Sequence, residues 1–124
     1  MRLLMILSFS LFSSVIYASP VTFVCNYDSY SNTTGNHKVK SKFVLTFIVD
    51  NKNESAYIIG NNGSEKVAYF SHPMGGNAFV EVTTTKNIMS TAIDNKGNSV
   101  HSRNTLLNGG LIPSQYYGKC ETKI

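Results

Sequence analysis

From Val21 onward, Asn- and Gly-rich turns interrupt the chain roughly every ten residues. Between the turns, apolar and polar side chains alternate with a period of two, and no stretch repeats with a helical period. A chain cut this way has no room for a helix of ordinary length. The pattern is clearest in Val39–Asp50. Val39, Phe43, Leu45, Phe47 and Val49 fall on one face, and Lys38, Lys40, Lys42, Thr46 and Asp50 fall on the other. Segments of the same kind are expected over Val21–Tyr27, Ser55–Gly60, Glu65–Ser71, Asn77–Thr84, Ile88–Asp94, Ser99–Leu107 and Ser114–Glu121. Asp28–Asn36 reads as a polar loop, Asn61-Asn62-Gly63 as the strongest hairpin turn, and His72–Gly76 as a breaker. Asn108-Gly109-Gly110 and Pro113 bound a further loop. Eight short strands joined by tight turns predict an all-β fold, a single antiparallel eight-stranded meander that closes as a barrel rather than folding over as a sandwich.

The two cysteines support closure. Cys25 lies on the first expected strand and Cys120 on the last. A closed meander sets those strands side by side, so a Cys25–Cys120 disulfide is expected. A two-cysteine metal site would need further ligands at suitable spacing. His37, His72 and His101 do not supply them, so no metal and no cofactor are expected.

Residues 1–18 carry an export signature: Arg2, an apolar stretch opening with Leu3-Leu4-Met5-Ile6-Leu7, and Ile16-Tyr17-Ala18 before the expected cut. The stretch is diluted by Ser8, Ser10, Ser13 and Ser14 and falls short of the roughly 20 apolar residues needed to span a bilayer. The expectation is a signal peptide over 1–18 and a single β domain over 19–124, exported to a periplasm or secreted, with no membrane insertion of the mature chain. Cleavage lowers the formal charge from +4 by the one unit that Arg2 carries. The remaining lysines are scattered and Arg103 is the only arginine left, so no nucleic-acid partner is expected.

Two stretches stand out as candidate binding surfaces. In Ser99–Thr105, a strand places Ser99, His101, Arg103 and Thr105 on one face. That row either grips an anionic group through the rigid Arg103 fork or is an exposed polar sheet face. In Pro113–Gly118, Tyr116 and Tyr117 point to opposite faces, so one belongs to the core and the other is free to bind. No catalytic residues are assigned, because there is no Gly-x-Ser-x-Gly elbow and Ser102 points away from His101 on a strand.

Phe23-Val24-Cys25 near the mature start and Tyr116-Tyr117-Gly118-Lys119-Cys120 at the end give the chain a layout that resembles small exported bacterial β-rich proteins with one disulfide. The layout is also similar to that of the periplasmic C-type lysozyme inhibitors, although their Ser-Gly-x-x-Tyr inhibitory motif is absent here. Lipocalins share the eight-stranded barrel but carry a Gly-x-Trp near the first strand, and this chain has no Trp. The functional expectation is an exported, non-enzymatic binding protein whose partner is a protein or an envelope component. The alternative is a small-ligand carrier enclosing a cavity, and a third reading is a periplasmic hydrolase.

Overall fold

The computed structural model describes residues 20–53, 55–60 and 63–123. The expected signal segment lies outside the described residues, as do Asn61 and Asn62 of the expected turn. Eight strands follow in order: β1 (Val21–Asn32), β2 (Gly35–Asp50), β3 (Ser55–Gly60), β4 (Gly63–Ser71), β5 (Asn77–Val82), β6 (Ile88–Ile93), β7 (Asn98–Leu107) and β8 (Gly110–Lys123). Each pairs antiparallel with the next and β8 pairs with β1, which closes the barrel as the sequence predicts.

The strands seal because alternation gives each of them an inward-facing row, and from β1 to β6 that row is mainly apolar. Phe23, Cys25 and Tyr27 of β1 face Leu45, Phe47 and Val49 of β2, Ala56 and Ile58 of β3, Val67 of β4, Phe79 of β5 and Ile93 of β6. Phe47 and Phe79 stack at 4.2 Å at the centre, and each is only 1% exposed. Phe23 meets Phe79 edge-on at 6.2 Å. Cys25 and Cys120 are directly opposed in the β1–β8 pairing and are joined by the expected disulfide. It spans 95 residues, and a loop of that length is worth about 4–5 kcal/mol in the chain-entropy account.

Two expected loops are in fact strand. Residues 28–32 continue β1 and residues 35–38 continue β2, so the expected loop over Asp28–Asn36 is a long hairpin with its turn at residues 33–34. Their polar side chains hide the extension, because the pairing there is carried by backbone hydrogen bonds. Likewise β8 begins at Gly110 and runs through Pro113, which pairs with Asn104. Asn108-Gly109 makes a two-residue turn with φ of 52° and 78°, the pair of positive angles that a tight hairpin of this twist requires.

One irregularity shapes the barrel. Tyr27 pairs with Phe43 and Ser29 with Lys38, so Asp28 alone stands against Val39–Lys42. The bulge shifts the inward parity of β1 from Cys25 and Tyr27 to Tyr30, which stacks on Tyr116 at 5.2 Å. Beside it, β8 passes so close to β1 that a Cβ on Gly118 would overlap the Asn26 carbonyl oxygen.

Candidate functional site

The row Ser99, His101, Arg103 and Thr105 does share one face, and that face points into the barrel. Ser99 is 4% and His101 1% exposed, so the reading of this row as an exposed polar sheet face is overturned. The physical reason is closure. With Val100, Ser102 and Asn104 on the outer wall, the intervening residues have nowhere to point but inward. Each of the buried polar groups in this row is matched. The Tyr27 hydroxyl and Ser99 Oγ lie 2.9 Å apart, and Thr91 Oγ1 lies 2.7 Å from His101 Nδ1. Arg103 Nε donates to His101 Nε2 at 3.2 Å.

That last contact fixes the histidine. A guanidinium can only donate, so Nε2 accepts and carries no proton, and the neutral ring bears its proton on Nδ1, which donates to Thr91 Oγ1. Burial, and secondly the charge of Arg103, hold the His101 pKa down to about 4. With both ring nitrogens engaged, His101 has none left to take a proton from a substrate. Burial pushes the Tyr27 hydroxyl up to about 12, opposed by its hydrogen bond to Ser99.

Arg103 is clamped as well as bonded. Its guanidinium carbon lies 4.7 Å from the centre of the Phe43 ring and 5.1 Å from that of Tyr116, and these two rings stack on each other at 4.8 Å. Cation–π contact holds the side chain in a half-buried position that would otherwise cost it hydration. Tyr116 is therefore the tyrosine packed against the core. Tyr117 is exposed on the outer wall, where its hydroxyl donates to Gln115 Oε1 at 3.1 Å and lies 3.1 Å from Ser31 Oγ. Of the four candidates, His101, Arg103 and Tyr116 come together, and Tyr117 stands apart from them.

Arg103 forms part of the floor of a cavity of about 520 Å³ in the end of the barrel away from the disulfide. Leu45, Ile58 and Met89 give it an apolar wall, while Glu65, Glu81 and Thr83 give it a polar one. Glu81 is half-buried. Burial first, and then the neighbouring Glu65 carboxylate, raise its pKa above the usual carboxylate range, and Arg103 works in the opposite direction. The two glutamates were not singled out from the sequence, although a signal was present. Glu81 lies two residues from Phe79 on one strand, and Glu65 two residues from Val67 on the other, so each shares the inward face of its apolar neighbour.

A second, broader depression of about 580 Å³ lies over the bulge on the outer wall and includes Lys40, Lys42, Tyr117 and Lys119. Among the described residues, no three His, Cys, Asp or Glu side chains are grouped so that they could hold a metal ion. No helix among them is long and apolar enough to cross a membrane. Comparison of the chain with protein-family models, with curated proteins and with solved structures gave no match.

Proposed function

We propose that this is an exported binding protein that takes a small amphipathic ligand into the open end of its barrel. The observation that carries the reading is the pairing of unlike walls in one cavity of about 520 Å³. Leu45, Ile58 and Met89 favour an apolar body. Arg103 and Glu81 offer a fixed donor fork and a poorly hydrated carboxyl to a polar head. Ligand sites commonly combine an apolar lining with a few convergent polar groups in this way. A charge kept half-buried by two aromatic rings is also an expensive feature for a barrel that needs only a core.

The reading is tested with the anionic amphiphile 1-anilinonaphthalene-8-sulfonate. Saturable binding at one probe per chain is expected. Met89→Trp, which fills the cavity, should abolish it, and Arg103→Met should weaken it. Equal binding by the native protein and Met89→Trp would place the probe elsewhere and remove the reading.

A further inference from the structure

The turn between β7 and β8 carries its most apolar residues at its tip. Leu106 is 60%, Leu107 58%, Leu111 62% and Ile112 52% exposed, although Leu106 pairs with Leu111 and Thr105 with Ile112 in regular register. The exposure therefore does not come from a frayed segment. The Asn108-Gly109 turn is a tight one, and the strands simply continue past the rim of the barrel. Because each side of the hairpin contributes to both faces, aliphatic groups surround the tip and cannot be covered by the barrel itself. Val82 and Ile88, paired with each other on the neighbouring strands, extend the exposed apolar surface along the outer wall.

On the outer wall around this tip the charge is mostly positive. On one flank, Asn87 Oδ1 accepts from the Leu106 backbone N–H at 2.8 Å, which places the Lys86 turn beside the hairpin. On the other flank, Asn32 pairs with Ser114, so the β1–β2 hairpin bearing Lys38 and Lys40 lies alongside. Lys38, Lys40 and Lys86 are all exposed. Lys42 and Lys66 add to the same half of the barrel; among the described residues Asp28 is its acid on the outer wall, while Glu65 and Glu81 face the cavity inside it. In the other half, the acids Asp50, Asp94 and Glu121 stand among the lysines.

We infer that the open end of the barrel docks on an anionic lipid surface, with Leu106, Leu107, Leu111 and Ile112 entering the headgroup–acyl boundary and the flanking lysines meeting the headgroups. An aliphatic tip ringed by exposed ammonium groups matches both components of such a surface, apolar and negatively charged. A protein groove would satisfy the aliphatic tip alone. It would give no reason for lysines on two separate flanks of that tip. The tip reaches only a few residues past the rim, too short a stretch to span a bilayer, so the association is peripheral. The inference rests on the surface of the hairpin and stands whether or not the cavity beside it holds a ligand.

The test is co-sedimentation of the mature, disulfide-bonded protein with two kinds of vesicle, phosphatidylcholine alone and phosphatidylcholine mixed with phosphatidylglycerol. Binding to the mixed vesicles is expected, with loss at high salt. The double variant Leu107→Asp, Leu111→Asp should lower partitioning by about tenfold or more, since it removes two aliphatic groups from the boundary and adds two like charges. Both positions are exposed, and an unchanged thermal midpoint checks that the fold is kept. Lys38→Glu with Lys86→Glu should lower binding to the mixed vesicles while leaving the aliphatic tip intact. Absence of binding to the mixed vesicles would overturn the inference, as would binding unaffected by the aspartates. Self-association of the native protein that the aspartates abolish, without vesicle binding, would assign the tip to a second copy of the chain and overturn it equally.

Discussion

Replacing His101 with Gln should remove a large part of the protein's sensitivity to mild acid. The His101 ring is 1% exposed, and its pKa is held at about 4 against an ordinary value of 6.5. Between those values the unfolded chain binds a proton that the folded protein refuses. Stability is therefore full above pH 6.5, declines as the pH falls toward 4, and levels off below it. At about 1.36 kcal/mol per pKa unit, the native protein should lose about 2.5 kcal/mol between about pH 7 and about pH 4.5 through this group alone. Other groups act in recognisable directions. The raised pKa of Glu81 makes acidification favour the folded state, which offsets part of the loss. The lowered pKa of Asp94 acts only below the ordinary carboxylate value. Tyr27, pushed up to about 12, stays neutral in this window. Subtracting the His101→Gln profile from the native profile isolates the histidine. Gln can still accept from Arg103 and donate to Thr91, so the fold should be kept. Urea unfolding across that range is the assay. Parallel profiles for the two proteins would refute the buried neutral histidine and the hydrogen-bond order derived from it.

Arg103→Met should move the His101 titration upward toward 6.5, because the second cause of its depression is removed; an NMR titration of the imidazole reads this directly. In alkali, the protein should lose up to about 2.7 kcal/mol between pH 10 and about 12, where unfolded Tyr27 ionises and folded Tyr27 does not. Tyr27→Phe, measured by chemical unfolding, should flatten that loss. Cys25→Ser together with Cys120→Ser should cost about 4–5 kcal/mol at neutral pH in denaturant titrations, and thiol labelling of the unfolded, unreduced protein should find no free cysteine. Gly118→Ala should cost about 1–3 kcal/mol or more, since its Cβ meets rigid backbone at Asn26 and Tyr27 rather than a side chain that can turn away.

The barrel was legible because its signals agree. The alternation in Val39–Asp50 names the inward row of β2, and the cysteines on the first and last strands require those strands to meet. What could not be read was how far strands run when their residues are polar. Ser29, Ser31 and Asn36 pair through the backbone, so side-chain chemistry carries no mark of the hairpin they build. The shared face of Ser99, His101 and Arg103 was also legible, but its direction was not. A polar row of this kind reads as outer wall until closure turns it inward and Tyr27 and Thr91 supply its partners. The cavity was hidden for a related reason. Glu65 and Glu81 lie on different strands, and only the β4–β5 register brings them near each other and near Arg103.

The claim that the open end of the barrel holds a small ligand is tested most directly by native mass spectrometry of the protein purified from its own host. The predicted result is a discrete adduct above the mass of the disulfide-bonded chain, released by organic extraction and missing from Met89→Trp. A bare mass for the native protein and for Met89→Trp alike, unchanged after incubation with a lipid extract of the host, would contradict it.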